Sequence, residues 1–296
     1  MLRRDLWRAA ATLAASGARL GGADASYQAA IAAWRKEYDH DLRSEKGPLL
    51  LIGRQNLPEG RSEVGSNASS HIQLPDRAPK RAGVVERRGD MVTFEPAAEI
   101  VVKLNAKQMS GPAVLRTGLG SQPRDAIEFG DFKISVAGLD GNFQVAISDT
   151  QSSYRTMFQG ALWFPVNANY RVEAVFTPYP QPKEVRIPDT TGRVRTSKAP
   201  GYVTFRLNGE PRRLEPTASG DKLFFMFKDL TAGRETYGAG RYLDAEMPKD
   251  GKVVLDFNKA YNPYCAINPY SSCPIPPKEN RLVTRVEAGE KYRGDH

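Results

Sequence analysis

The side chains best suited to chemistry lie in the C-terminal part of the sequence, where an apolar run at residues 223–227 leads into a polar stretch punctuated by glycine. Arg241 carries a planar guanidinium that suits a carboxylate or a phosphate, and Thr231 and Tyr237 carry hydroxyl groups. If these three side chains share one hollow, they can hold a small polar or anionic ligand. We therefore expect Thr231, Tyr237 and Arg241 to form a ligand-binding site.

Carboxylates in the same part of the chain support a second interpretation, and they include Asp229, Asp256, Glu279 and Glu290. Two carboxyl groups whose environments separate their pKa values can divide the roles of acid and base. This predicts a hydrolase-type enzyme with a pair drawn from Asp229, Asp256 and Glu279. A Ser-His-Asp or Cys-His arrangement is disfavoured, because no histidine lies between residues 223 and 291 and the Gly-x-Ser-x-Gly pattern is absent.

The third interpretation is purely structural. Polar groups inside a β protein can satisfy one another, because an unpaired buried polar group costs about 1–3 kcal/mol. Side chains such as Asp256, Asn262 and Asn280 also cap turns readily beside proline. On this view the polar residues form a scaffold pinned by a disulfide, and no pocket is expected.

The cysteines, Cys265 and Cys273, are close in sequence, and a pair of this kind in an exported protein is most simply a disulfide. A metal site is a weaker interpretation, because the spacing is wide and His40, His71 and His296 are the only histidines. We expect neither a metal nor a cofactor.

Residues 1–25 have the pattern of an export signal. Arg3 and Arg4 precede a weakly apolar stretch that ends in the small-x-small pattern of residues 23–25, where signal peptidase cuts. The paired arginines are typical of a twin-arginine signal, a pathway that tolerates a leader poor in leucine. We therefore expect a periplasmic or secreted protein.

The formal net charge is +8, but the lysines and arginines are scattered among acidic residues. A nucleic-acid partner is not expected, since phosphate tracking requires a basic stripe. No apolar run approaches the length of a membrane span, so no integral membrane segment is expected either. A small-molecule ligand remains the expected partner, and the sequence carries no signal for an oligomeric state.

The elements that must position these residues are mostly strands. Residues 26–47 predict a helix, because Tyr27, Ile31, Trp34, Tyr38 and Leu42 recur every three or four positions. Beyond residue 48 the period changes to two, and Asp-Gly and Asn-Gly pairs at residues 139–142 and 207–210 predict tight hairpins. The strands predicted from this pattern include residues 49–52, 72–74, 91–94, 100–104, 132–136, 143–147, 170–176, 202–207, 223–227 and 252–257.

The predicted fold class is therefore all-β, an antiparallel sandwich or barrel with one N-terminal helix. Residues 48–296 form this β domain, either as one unit or as two halves that divide in the proline-rich segment near 178–200.

Several motifs together resemble one family. In order they are FQGALWFP at residues 158–165, FKDLT at 227–231, TYGAGR at 236–241, DFNKA at 256–260, CPIPPKENRL at 273–282 and AGE at 288–290. This set resembles the DUF1684 family, whose function is uncharacterised, so the resemblance implies no reaction. The similarity is looser at residues 47–66, where Pro48, Arg54 and Asn56 replace bulky apolar residues. It also leads us to expect an arginine where this chain has Ala146, and such a change could alter a ligand site.

Overall fold

The computed structural model describes residues 25–118, 122–139 and 141–294. The predicted export signal, apart from Ala25, and His296 lie outside these residues, so the signal stays a prediction. Strands make up 45% of the chain and helical segments 14%, in several antiparallel sheets with one N-terminal helix. The all-β fold class is thus confirmed. A sandwich fits the sheets, and no closed barrel forms within the described residues.

Within the described residues the chain forms two α-helices and eighteen strands. In chain order they are α1 (Ala25–Arg43), β1 (Leu51–Asn56), β2 (Gly60–Gly65), β3 (Ile72–Gln73), β4 (Gly83–Arg88), β5 (Met91–Pro96), β6 (Lys103–Leu104), β7 (Lys107–Gln108), β8 (Ala113–Leu115), β9 (Ile127–Phe129), β10 (Phe132–Leu139), β11 (Asn142–Asp149), α2 (Ser153–Thr156), β12 (Arg171–Pro188), β13 (Val194–Leu207), β14 (Glu210–Leu214), β15 (Thr217–Ser219), β16 (Lys222–Phe227), β17 (Arg241–Glu246) and β18 (Lys252–Asp256).

Helix α1 presents the predicted apolar stripe to the protein. Ile31 and Leu42 are buried, whereas His40 is exposed. The helix ends at Arg43 rather than near residue 47, because the amide and hydroxyl of Ser44 both donate to the Asp41 carbonyl and close the last turn. Residues 48–50 then form a 3-10 turn, so the first strand begins at residue 51 instead of 49. None of the helices in the described ranges is long and apolar enough to cross a membrane.

The N-terminal half packs a six-stranded sheet, in the order β1-β11-β10-β9-β6-β7, with a five-stranded sheet, β3-β2-β4-β5-β8. The period of two decides which face is buried: Ile134 on β10 and Val145 and Ile147 on β11 enter the core, together with Phe94 from β5. The predicted strand at 100–104 is shorter than expected, since only Lys103–Leu104 pair with a neighbour.

The C-terminal half has its own apolar core between a four-stranded sheet, β14-β13-β12-β18, and a three-stranded sheet, β15-β16-β17. Phe225 and Phe227 on β16, Leu243 on β17 and Leu255 on β18 are completely buried in it. These strands end where the motif-rich turns begin, so this core fixes the position of the polar residues described below.

The predicted hairpin at 207–210 is confirmed: Leu207 pairs with Glu210, and Asn208 and Gly209 both have positive φ. Leu139 likewise pairs with Asn142 at the tip of the earlier hairpin, although Asp140 lies outside the described residues. Residues 178–188 and 194–200 lie in the paired strands β12 and β13, which the turn of residues 189–193 joins. The change from one core to the other falls between Ile147 and Tyr170. Whether the two cores are one domain or two stays a prediction.

Candidate functional site

Arg241 and Asp229 form an ion pair inside the C-terminal core. Asp229 follows β16 and Arg241 begins β17, so the pairing of these two strands brings the side chains together. The Arg241 Nη2 lies 3.3 Å from Asp229 Oδ1, and the exposed fractions of the two side chains are 0% and 2%. Burial lowers the pKa of Arg241, and the neighbouring Asp229 carboxylate opposes that effect.

Arg241 also fixes the last described segment of the chain. Its guanidinium donates to the backbone carbonyls of Val286, Ala288 and Glu290, the first of these at 2.8 Å. Its Nε is buried and has no hydrogen-bond partner within the part of the chain that the structure describes. Because the guanidinium donates to backbone carbonyls of the protein itself, Arg241 anchors residues 286–290 to the three-stranded sheet that contains β17.

The predicted ligand-binding hydroxyl of Thr231 belongs to the same network. Thr231 Oγ1 donates to Asp229 Oδ2 at 2.8 Å and lies 2.8 Å from the hydroxyl of Thr236. The backbone amide of Val286 donates to Asp229 Oδ2, also at 2.8 Å. The structure therefore brings Asp229, Thr231 and Arg241 together, but inside the protein, where their polar atoms mostly satisfy one another.

Tyr237 lies apart from that network and is half-buried. Its ring packs edge-on against Tyr292 with 5.1 Å between centroids, and its hydroxyl lies 3.5 Å from the Cys265 carbonyl. Burial raises the pKa of Tyr237. Through Tyr292 it borders the cleft described below.

The other predicted carboxylates have separate surroundings. Asp256 Oδ1 accepts a hydrogen bond from the Tyr27 hydroxyl at 2.7 Å and from the Asn258 amide at 3.2 Å, so it caps the turn after β18. Glu279 is exposed in the 3-10 turn Lys278–Asn280. Among the described residues, Asp229, Asp256 and Glu279 share no hydrogen-bond partner, and no contact joins them into an acid–base pair.

Cys265 and Cys273 are 3.4 Å apart and are not bonded to each other. The Cys265 amide donates to the Cys273 sulfur at 3.2 Å. A hydrogen bond from the Cys273 thiol lowers the pKa of Cys265 to about 7. Within the described ranges, no three His, Cys, Asp or Glu side chains cluster as a metal site would require.

An open cleft of about 400 Å³ lies beside this region, and we call it the C-terminal cleft. Its walls are α2, the loop of residues 157–162, part of the turn of residues 262–267 and the segment of residues 290–293. Backbone bonds hold the walls together: the amide of Lys291 donates to Leu162, and the amide of Glu290 donates to Ala260.

Glu290 is the buried carboxyl group in the wall of this cleft, with 3% of the residue exposed. Its Oε2 accepts the backbone amide of Asn262 at 2.7 Å and the Tyr38 hydroxyl at 3.1 Å. Burial raises the pKa of Glu290 to about 7, and the nearby Asp39 carboxylate adds to the rise, whereas the hydrogen bonds oppose it. A carboxyl group with such a pKa can donate or accept a proton near neutral pH.

Asn262 supplies an unsatisfied group at the same place. Its side-chain amide nitrogen donates to the Lys291 carbonyl at 3.0 Å, but its Oδ1 is buried and has no hydrogen-bond partner among the described residues. Lys291 and Arg293 add positive charge to the cleft, and Arg293 donates a long hydrogen bond of 3.4 Å to Gln159. The cleft can therefore pair with a hydrogen-bond donor and with a negative charge.

The sequence named Glu290 as a carboxylate but gave it no role. The signal that could have selected it is its position within an apolar and glycine context, Ala288-Gly289-Glu290, which favours burial of the carboxyl group and therefore a raised pKa. Asn262 had been assigned to turn capping. Ala146, where an arginine was expected, lies on β11 directly opposite Arg54 of β1.

The chain is similar to one protein family and to several solved structures. An uncharacterised protein of Haloarcula marismortui, solved by NMR in solution, is 35% identical; the match covers 48% of this chain and 81% of that chain, with a TM-score of 0.41. No curated protein matches the chain. Residues 156–291, which contain most of the C-terminal cleft and the buried Asp229–Arg241 pair, match the model of a protein family of unknown function, DUF1684. The chain belongs to the DUF1684 family.

Proposed function

We propose that this protein binds a small polar ligand in the C-terminal cleft. The observation that carries the proposal is the pairing of Glu290, a buried carboxyl group, with Asn262, whose buried amide oxygen lacks a partner. An unpaired buried acceptor costs about 1–3 kcal/mol, and a ligand that donates a hydrogen bond removes this cost. A hydroxyl or amine group on the ligand fits this place.

The charges of the cleft favour a ligand that also carries an acidic group. Lys291 and Arg293 are the cations in the wall, and neither forms an ion pair among the described residues. The cleft also offers apolar surface, since Met157 is 75% exposed beside Tyr292. Its volume of about 400 Å³ is within the usual range of about 300–1,000 Å³ for small-molecule sites.

Native mass spectrometry of the protein purified from its own host tests this proposal. We expect an adduct of constant mass on the wild type and a much smaller adduct fraction on Glu290→Gln. The glutamine retains an acceptor for Asn262 and Tyr38, so the fold should persist. Glu246→Gln is the matched control, because Glu246 is an exposed residue on β17 with the same change of charge. Absence of any adduct, or equal adducts on all three proteins, contradicts the proposal.

Acid–base catalysis at the same place is the second candidate, and the pKa of about 7 at Glu290 favours it. A catalytic cleft should change the molecule that it binds. Incubation of the recovered ligand with fresh protein should then give a product of different mass, which Glu290→Gln fails to form. An unchanged ligand leaves binding as the function.

Export to the periplasm or outside the cell remains part of the proposal, on the strength of residues 1–25. In an oxidising compartment the adjacent thiols of Cys265 and Cys273 would form a disulfide. Intact mass after alkylation, with and without prior reduction, should differ by two alkyl groups for protein recovered from the envelope. Two free thiols in exported protein contradict the disulfide, and an uncleaved leader on cytosolic protein contradicts export.

A further inference from the structure

A second concave surface lies on the outer face of the six-stranded sheet. It has a volume of about 460 Å³, and we call it the basic groove. Its floor is formed by β1, β10 and β11, and its rim by the segment of residues 45–51 and by Tyr264 and Ser271 from the turn that holds the cysteines. It shares no residue with the C-terminal cleft.

Strand register explains why cations face this groove. Arg54 on β1 lies opposite Ala146 on β11, which lies opposite Ser135 on β10. Two residues along, Ser148 on β11 lies opposite Lys133 on β10. Because side chains alternate between the two faces of a sheet, these residues point away from the core that Ile134 and Val145 enter. The cations Arg54 and Lys133 therefore lie beside the small side chains of Ser135, Ala146 and Ser148 on the outer face of the sheet.

Two further cations complete the groove, Lys46 from the segment after α1 and Arg124 from the turn before β9. Burial lowers the pKa of Arg54, and the positive charges of Arg124, Arg193 and Arg195 lower it further. Several positive charges therefore surround Arg54.

The carboxylates near the groove are few and mostly engaged. Asp125 is bound by Arg116 through two contacts of 2.8 and 2.6 Å and by Asn105 at 2.7 Å. Glu45 is exposed at the rim, and Glu128 on β9 is the register partner of Lys133. Within the described residues, none of Lys46, Arg54, Arg124 and Lys133 forms a salt bridge.

The Arg54 guanidinium is held in an orientation that leaves it able to bind an anion. Its Nε donates to the Tyr270 carbonyl at 2.6 Å, which orients the guanidinium. Neither of its two terminal nitrogens donates a hydrogen bond to an acceptor among the described residues. These nitrogens are the atoms of an arginine that bind an oxyanion with two parallel hydrogen bonds. The hydroxyls of Ser135, Ser148 and Ser271 line the same groove and can donate to further oxygens.

We propose that the basic groove binds the phosphate group of a small phosphorylated molecule. Four cations around hydroxyl donors match the charge and the oxygen atoms of a phosphate. The small side chain of Ala146 leaves room between Arg54 and Lys133 for the anion. A groove of this volume suits a single small group better than a polymer, which needs an extended basic track.

Isothermal titration calorimetry with inorganic pyrophosphate tests the proposal. We expect Arg54→Gln to weaken binding at least tenfold, while the introduced glutamine amide retains a donor for the Tyr270 carbonyl. Arg124 is exposed, so Arg124→Gln is the variant that cannot disturb the core, and it should weaken binding at least threefold. Arg234→Gln removes the same charge from an exposed turn, and Glu290→Gln changes the other cleft; both should leave the affinity within twofold.

Co-sedimentation with phosphatidylglycerol vesicles distinguishes a lipid headgroup from a free phosphate compound. Loss of vesicle binding in Arg54→Gln with no pyrophosphate binding by the wild type assigns the groove to a headgroup. Absence of binding to both probes overturns the proposal. Equal affinities of wild type, Arg54→Gln and Arg124→Gln for pyrophosphate also overturn it.

Discussion

The carboxylate of Glu290 accepts the backbone amide hydrogen of Asn262 at 2.7 Å, across 28 positions of sequence. This bond joins the last described segment to the turn that precedes the cysteines, and it lies in the wall of an open cleft. The acid is buried and the amide oxygen of its partner is unsatisfied. Two groups that would each cost stability in a purely structural role thus meet at one solvent-accessible place.

The pH dependence of stability should reveal Glu290. A pKa raised from 4.5 to about 7 means that the folded state holds a proton which the unfolded state has lost between these values. The contribution of Glu290 to the free energy of unfolding should therefore fall as the pH rises from 4.5 to about 7, and remain level above that. Relative to Glu290→Gln, the fall should total about 3 kcal/mol. Urea unfolding at a series of pH values measures it, and parallel curves for the two proteins would contradict the raised pKa.

Loss of the buried ion pair should be costly. Asp229→Asn leaves Arg241 charged and without its carboxylate, so we expect the free energy of unfolding to fall by about 3–5 kcal/mol. The control is Glu173→Gln, which breaks an ion pair with Lys252 whose side chains are more than half exposed, and this should cost less than about 1 kcal/mol. Equal effects in chemical denaturation would show that Asp229 and Arg241 do not hold the fold.

The reduced protein should contain one reactive thiol. The pKa of Cys265 is about 7, so its rate of alkylation should reach half its maximum near pH 7. Cys273→Ala removes the thiol that donates to Cys265, and the midpoint should move to higher pH. Alkylation followed by peptide mass spectrometry measures both midpoints. An unmoved midpoint would mean that Cys273 does not activate Cys265.

The positive charge of Arg293 at the rim of the C-terminal cleft should control the fraction of protein that carries bound ligand. Arg293 is exposed, so Arg293→Glu should leave the thermal midpoint unchanged while it reduces the adduct fraction about tenfold, provided that the ligand is acidic. Arg234→Glu makes the same change of charge elsewhere on the surface. If both variants keep the adduct, the ligand does not contact Arg293.

Local patterns predicted the elements well, because each depends on near neighbours. The stripe through Ile31 and Leu42 and the turn at Asn208-Gly209 both follow from residues within a few positions. The end of α1 was placed too late, because the hydrogen bonds of Ser44 to Asp41 are not visible as a hydrophobic period.

The functional site was harder to predict, because a sequence does not show how deeply a polar side chain is buried. Arg241 was expected to bind a ligand and Asp229 to belong to an acid–base pair, yet strand pairing places both beneath the surface. Glu290 meets Asn262 and Tyr38 only through contacts between distant parts of the chain, which no local spacing encodes.

A crystal structure of protein isolated from its own host, without refolding, is the most direct measurement. We expect density for a small molecule in the C-terminal cleft, with a donor within hydrogen-bond distance of Asn262 Oδ1 and close to Glu290. Ordered solvent alone in that cleft, while a co-purified molecule occupies another part of the protein, would contradict it.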